Sequence, residues 1–165
     1  MKSLARILVA CAAIHLAGCY SFTGASVPSH LKTIAIPLFD DQSGSGEASL
    51  REKITQALTD LFIRDNSLEV ADKSKADSIL EGVIVSARDD ILAVGGGETV
   101  NKRRITMSVK VTYQDMKLRK KIYEKTFTNS GDYSPAGGFA QRQAAFEEAM
   151  RKITEDILLE TVSGW

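Results

Sequence analysis

Eight basic residues are concentrated within residues 102–121 of the sequence. They are Lys102, Arg103, Arg104, Lys110, Lys117, Arg119, Lys120 and Lys121. Guanidinium and ammonium groups make charge-assisted hydrogen bonds to phosphate, so one interpretation is a site for an anionic ligand. The alternative is a sheet edge kept soluble by charge, because lysine at an edge discourages pairing with other chains. The sequence leaves both interpretations open.

Residues that could catalyse a reaction are few. Asp89 and Asp90 are adjacent carboxylates, but neighbouring residues of a strand face opposite ways, so we expect solvated charges rather than an acid–base pair. His30 has no evident acid or nucleophile near it in the sequence. The run Gly95-Gly96-Gly97 lacks the Gly-Lys-Ser/Thr of a phosphate-binding loop and is expected to join two strands. We therefore expect a protein that is not an enzyme.

The acidic loop at residues 40–47 is the nearest approach to a metal site. Its spacing does not match that of an EF-hand, which needs oxygen ligands and a glycine at fixed offsets before a glutamate. We expect a solvated loop there, and neither a metal nor a cofactor in the protein.

Length and composition restrict the class of protein. The 165 residues are about one domain's worth, and 44% hydrophobic with 25% charged residues is typical of a folded globular chain. Lysine plus arginine number 21 and aspartate plus glutamate number 21, so the formal net charge is zero. A nucleic-acid partner is not expected, because binding nucleic acid needs a basic field.

The N-terminus has the pattern of an export signal. Lys2 and Arg6 precede an apolar run at residues 7–17, which is too short to span a bilayer permanently. The run ends in Leu16-Ala17-Gly18-Cys19, which resembles the lipobox of bacterial lipoproteins. That resemblance implies cleavage before Cys19 and acylation of its thiol with chains such as palmitate. Tyr20, in place of the aspartate that tends to retain lipoproteins in the inner membrane, favours the periplasmic face of the outer membrane.

Three segments follow from this interpretation. Residues 1–18 are a removed signal peptide, residues 19–30 are the lipidated cysteine and a short tether, and residues 31–165 are a single α+β domain. Removing Lys2 and Arg6 leaves 19 basic and 21 acidic residues, for a net charge of −2. The predicted membrane anchor is therefore lipid rather than charge.

Hydrophobic periodicity predicts five strands and two helices. The clearest strand is at 104–113, where Ile105, Met107, Val109, Val111 and Tyr113 alternate with polar residues. Ser49 and Glu52 have the spacing of a capping box at the start of the first helix. The other strands are expected at 33–39, 68–71, 79–87 and 120–128, and the helices at 49–64 and 139–162.

Strict alternation at 104–113 requires one buried and one polar face. Two amphipathic helices can cover one face of a sheet and no more. We therefore expect a two-layer α+β sandwich, with both helices on one face of a mainly antiparallel sheet of four to five strands.

Two segments carry a family resemblance. Tyr-Ser-Phe directly after Cys19, followed by Lys-Thr-Ile-Ala-Ile-Pro-Leu-Phe at residues 32–39, resembles divergent members of the LptE family. The resemblance implies a lipoprotein that plugs and helps to assemble the LptD β-barrel and contacts lipopolysaccharide on its way to the outer leaflet. No local motif here matches the basic residues that contact lipopolysaccharide in better-known members, so glycolipid binding at 102–121 is a separate hypothesis.

A second resemblance implies another role. Residues 33–44, an apolar strand with a Phe and a polar glycine-containing loop, are similar to lipoproteins of curli secretion and to activators of peptidoglycan synthases. An activator needs a long tether to reach the cell wall. The tether here has about 11 residues and spans at most roughly 40 Å, which favours the plug.

Overall fold

The computed structural model describes residues 27–47, 49–94 and 100–163 of the protein. The helices are α1 (Leu50–Asp65) and α2 (Gly138–Ser163). The strands are β1 (Thr33–Ala35), β2 (Asp40–Asp41), β3 (Glu69–Val70), β4 (Ser78–Val94), β5 (Val100–Asp115) and β6 (Lys120–Tyr133). A 3₁₀ turn, Pro135–Gly137, joins β6 to α2. The predicted signal peptide, Cys19 and most of the tether lie outside the described residues.

All six strands belong to one mixed sheet. Its order is β3–β1–β4–β5–β6, and β2 pairs with β4 beside this path. β1 is parallel to β3 and to β4, and β2 is also parallel to β4. β4, β5 and β6 are antiparallel neighbours. The sheet has one strand more than predicted, because Asp40 and Asp41, expected in a loop, pair with Val83 and Ile84.

β5 follows the alternation predicted for it. Ile105, Met107, Val109, Val111 and Tyr113 are all fully buried. The residues between them are exposed or half-buried. One face of the sheet therefore packs against the helices, and the other face, which we call the open face, is left to solvent. The predicted two-layer α+β sandwich is confirmed.

Both helices contribute a single apolar stripe to one hydrophobic core. The buried residues of α1 are Leu50, Ile54, Leu58 and Phe62, and those of α2 include Phe146, Met150, Ile153 and Ile157. They join the buried side chains of β1, β4 and β5 in one cluster. In the described part of the chain, neither helix is both long and apolar enough to cross a membrane.

β4 and β5 continue together beyond the predicted end of β4. We call this extension, residues 88–94 of β4 and 100–106 of β5, the arm. β4 has 17 residues, or roughly 55 Å of strand, and continues seven residues beyond the predicted end at residue 87. Its pairing with β5 is shifted between Ile84 and Ser86 by a bulge. The glycine run predicted to join two strands, residues 95–97, lies outside the described residues.

Two element boundaries differ from those predicted from the sequence. Ser49 has a left-handed backbone (φ 57°) and makes no side-chain cap hydrogen bond, so the predicted capping box does not form. A capping side chain needs an extended N-cap backbone to reach the first helical N–H groups. β1 ends at Ala35, two residues before Pro37, which has no N–H to donate to a ladder.

Two glycines allow close contacts between layers of the fold. A Cβ at Gly82 would lie 2.1 Å from the ring of Phe39, which is fully buried over it. A Cβ at Gly131 would lie 2.1 Å from the backbone oxygen of Ala145 in α2. The ring of Phe39 can turn, but a helix backbone moves only with the whole helix. Gly131 therefore sets how closely α2 approaches β6.

Replacing Gly131 by alanine tests this contact. We expect G131A to lower the free energy of unfolding by about 1–3 kcal/mol, because α2 must move away from the sheet. Urea denaturation followed by circular dichroism measures the change. Thr126→Ala, at an exposed position of the same strand, is the matched control and should stay within about 0.5 kcal/mol of the natural protein. Equal stability of the two variants would contradict the packing argument.

Candidate functional site

The structure divides the eight basic residues into three groups. Lys102, Arg103 and Arg104 lie on the arm, and Lys110 lies in the middle of β5. The other four, at residues 117–121, lie in or beside the turn between β5 and β6. The 13 residue-to-residue steps from Lys102 to Asp115 span roughly 44 Å of strand. The eight residues therefore do not form one patch.

On the arm, Arg104 and Lys102 share one carboxylate. Arg104 makes two hydrogen bonds to its cross-strand neighbour Asp132, at 2.6 and 3.0 Å. Lys102 Nζ lies 3.2 Å from the same carboxylate. The hydrogen bonds from Arg104, with the contribution of Lys102, lower the pKa of Asp132 to about 2 despite its partial burial. The group of three carries one positive charge in excess.

Arg103 points to the opposite, helix-covered face. Its Nε donates to Asp89 Oδ1 at 2.8 Å, and its Nη2 donates to the backbone oxygen of Asp89 at 3.0 Å. Tyr133 and Arg142 donate to the other carboxylate oxygen at 2.7 and 3.2 Å. Arg142 also pairs with Glu47 at 3.1 Å. This network ties the start of α2 and the loop before α1 to the arm.

Asp89 is thus not the solvated charge that the sequence predicted. Burial raises its pKa, but the hydrogen bonds from Tyr133, Arg103 and Arg142 outweigh burial and leave the pKa below its usual value. The bulge after Ile84 is the reason, because one inserted residue moves the side chains that follow it, as far as Asp90, to the other face. No signal in the sequence marks that bulge. Asp90 is exposed, as expected.

The middle of the open face is rich in hydroxyl groups. Ser108 and Thr128 share a cross-strand hydrogen bond of 2.8 Å. Lys110 and Lys121 both pair with Glu124, at 2.9 and 3.2 Å. The hydroxyl residues of this face on β5 and β6 are Thr106, Ser108, Thr112, Thr126, Thr128 and Ser130. The result is a polar surface over β5 and β6 whose charges, where present, are largely paired.

At the turn between β5 and β6, residues 116–119, the start of the domain is held by ion pairs. Lys117 Nζ lies 2.8 Å from Asp77 and donates to the backbone oxygen of His30 at 2.7 Å. His30 Nε2 lies 2.5 Å from Asp115 Oδ2. The expectation that His30 has no acid beside it is therefore wrong. Asp115 is 85 residues away in sequence and is brought there by the length of the sheet.

Both carboxylates at this end have lowered pKa values. The pKa of Asp77 falls mainly because Lys117 and the backbone N–H of Lys32 donate to it. Burial raises the pKa of Asp115, but hydrogen bonds from His30 and the backbone of Leu118 more than offset it. Among the described residues, Arg119 and Lys120 make no ion pair.

Within the ranges that the structure describes, no three His, Cys, Asp or Glu side chains are placed to hold a metal ion. The surfaces that stand out are the polar open face, the cationic arm group and the turn between β5 and β6. All three are suited to binding a partner or an anion. Cys19 lies outside the described residues, so lipidation there stays a prediction.

Comparison with known proteins identifies a family. A family model named LptE and described as lipopolysaccharide-assembly matches residues 31–161. A search of curated proteins finds no match to this chain.

Solved structures share the fold at low sequence identity. A Xanthomonas campestris protein of the DUF330 family superposes with a TM-score of 0.62 at 16% identity, covering 84% of this chain and 87% of that one. Rare lipoprotein B from Shewanella oneidensis superposes with a TM-score of 0.52 at 14% identity, covering 78% of this chain and 92% of that one. PelC from Paraburkholderia phytofirmans, a dodecamer, superposes with a TM-score of 0.55 at 10% identity, covering 83% of this chain and 91% of that one.

Asp132 makes the stability of the arm depend on pH. Its folded-state pKa is lowered from 3.8 to about 2, so its contribution is complete above about pH 4 and is lost as the pH falls toward 2. We expect D132N to cost about 1 kcal/mol at pH 7 and progressively less between pH 4 and pH 2. Thermal unfolding across this pH range measures the difference.

Asp72→Asn is the control for this prediction, because Asp72 is exposed and its side chain makes no ion pair with any described residue. The melting temperature of this variant should differ from that of the natural protein by the same amount at every pH. If the melting temperature of D132N also differed from that of the natural protein by a constant amount, the pH-dependent contribution of Asp132 would be contradicted.

Proposed function

Since this chain belongs to the LptE family of non-catalytic lipopolysaccharide-assembly lipoproteins, we propose that it plugs an LptD-type β-barrel of the outer membrane. In this role it helps the barrel to assemble and assists lipopolysaccharide to reach the outer leaflet. The observation that carries the proposal is the family match over residues 31–161, which includes nearly all of the described domain. The role is that of a scaffold.

The open face is the surface that we assign to the barrel. The interior of a large barrel is polar and wet. The open face presents hydroxyl side chains, and its charges at Glu124 and Asp132 are matched by basic neighbours. Moving such a face from bulk water into a polar lumen costs little free energy, because its hydroxyl groups can form hydrogen bonds to lumen side chains.

The membrane anchor in this proposal is Cys19. Its acyl chains would hold the protein at the periplasmic face of the outer membrane, since several chains at about 0.8 kcal/mol per buried CH₂ bind a bilayer almost permanently. Val27 already packs against the core, so only eight Cα-to-Cα steps separate Cys19 from the domain. They span at most roughly 29 Å. The domain therefore stays close to the membrane, as a plug requires.

Lys102 and Arg104 are the residues that we assign to the glycolipid. Their side chains are 52% and 41% exposed, and together with Asp132 they carry one positive charge in excess, to which Arg88 and Asp90 on the neighbouring strand add no net charge. Phosphate groups of lipopolysaccharide suit such a site. Arg103, on the other face, has a structural role in the network around Asp89.

Affinity purification of the tagged, lipidated protein from outer membranes tests the plug. We expect a large β-barrel in near-equal amount, identified by mass spectrometry. Thr126→Arg places an unpaired charge on the open face and should lower barrel recovery by about tenfold. Gln56→Arg, on the exposed side of α1, is the matched control and should leave recovery unchanged.

Other outcomes would contradict the plug. Recovery of peptidoglycan synthases would favour the activator, and recovery of the chain alone as a ring would favour a secretion pore. Unchanged recovery by Thr126→Arg would show that another surface meets the barrel. A Cys19→Ala variant that remained membrane-bound and functional would contradict the lipid anchor.

The double variant Lys102→Gln/Arg104→Gln tests the glycolipid site. We expect it to bind purified lipopolysaccharide about five- to tenfold more weakly in an equilibrium assay, since two phosphate contacts are lost. Lys53→Gln/Arg64→Gln removes the same charge from exposed, unpaired positions of α1 and should bind normally. Thermal unfolding of both variants separates lost binding from lost folding. Equal affinities of the two would contradict the site.

A further inference from the structure

The turn between β5 and β6 exposes apolar side chains among positive charges. Met116 is 42% exposed and Leu118 is 66% exposed, and no described residue covers them. Lys117, Arg119 and Lys120 are exposed beside them. Large apolar side chains next to lysine and arginine are typical of segments that lie in the interface of an anionic membrane. Leu118 is the more exposed of the two, and its neighbours Arg119 and Lys120 make no ion pair among the described residues.

The acidic residues at this end compensate Lys117, which pairs with Asp77 at 2.8 Å, but not Arg119 or Lys120. Asp115 is only 4% exposed, and it accepts from His30 and from the backbone N–H of Leu118. Asp77 is 14% exposed, and it accepts from the backbone N–H groups of Lys32 and Thr33. Both carboxylates are directed inward to hold the turn. The charge presented to solvent by the tip of the turn is therefore positive.

The same turn holds the point where the chain enters the domain. Lys117 donates to the backbone oxygen of His30, and the ring of His30 contacts Asp115. The segment from Cys19 thus reaches the domain at the end of the sheet that carries Met116 and Leu118. With at most roughly 29 Å of chain between Cys19 and Val27, this end of the domain is brought toward the membrane surface.

We propose that the turn between β5 and β6 docks on the phospholipid leaflet that holds the anchor, with Leu118 and Met116 in the interface and Arg119 and Lys120 on anionic headgroups. The proposal rests on the lipid anchor at Cys19 in the proposed function. A basic residue near an anionic surface contributes about fivefold to membrane partitioning. Docking gives the domain a second contact and fixes its orientation.

A fixed orientation has a consequence for the arm. β5 runs from the far end of the arm to the turn, so docking the turn directs Lys102 and Arg104 away from the leaflet. The arm then extends roughly 44 Å from the docked end. The open face and the cationic arm group are held at a set distance from the anchoring leaflet.

The experiment uses the full lipidated chain in vesicles of three parts phosphatidylethanolamine to one part phosphatidylglycerol. Leu118→Cys carries an environment-sensitive fluorophore, and Leu92→Cys on the arm, 41% exposed, carries the same fluorophore as the matched control. Acylation blocks Cys19, so each variant has one reactive thiol. We expect several-fold brighter emission from position 118 only, with quenching by nitroxide-labelled lipid.

Charge is tested on the same vesicles with Arg119→Gln/Lys120→Gln added to Leu118→Cys. We expect emission at position 118 to fall at least twofold, and to fall similarly on phosphatidylcholine vesicles or in high salt. Circular dichroism confirms that each labelled variant is folded. Emission at 118 that is independent of lipid charge and of both substitutions would overturn the role of the basic residues.

Two failures can be told apart. If the protein stays on the vesicles through washing but the probe at 118 remains as dim as the probe at 92, the turn does not dock and the anchor still stands. If the protein washes off and Cys19 takes up label, the anchor is absent and both proposals fail. Equal brightening at 118 and 92 would mean that the domain lies flat, which overturns docking by the turn.

Discussion

One-sided burial of β5 is the constraint on which the rest of the structure depends. Its alternate residues, from Ile105 to Tyr113, occupy the centre of the core beneath α1 and α2. Because the side-chain period of a strand is two, burying one set exposes the other, and pairing extends this division to β4 and β6. The open face is a direct consequence of the core. A protein built this way has one large polar surface available to a partner.

The bulge in β4 decides how the charges are used. It brings Asp89 to the helix-covered face, where Arg103, Tyr133 and Arg142 converge on it. On the open face, cross-strand pairing places Arg104 beside Asp132. Three adjacent basic residues thus have two roles. Arg103 stabilises the junction of arm and helix, whereas Lys102 and Arg104 remain accessible to an anion.

The two ends of the sheet differ in a way that suits a protein of this family. One end has inward-facing carboxylates, an exposed apolar turn and the start of the domain, held together by Lys117. The other end is an arm that carries a partly compensated cationic group. In the role that we propose, one end would face the membrane and the other a cargo or partner. The length of β4 and β5 separates these two ends.

The sequence alone determined the elements whose signals are local. Alternation at 104–113 identified β5, helical spacing identified both helices, and the residues around Cys19 and at 32–39 indicated the family that the match over 31–161 later showed. Only the tertiary structure decided which charges meet. The bulge after Ile84 and the contact of His30 with Asp115 depend on strand register and on residues 85 positions apart, and neither leaves a local pattern. Periodicity reports which face a residue occupies, but a partner across a sheet is set by pairing, which a single sequence does not encode locally.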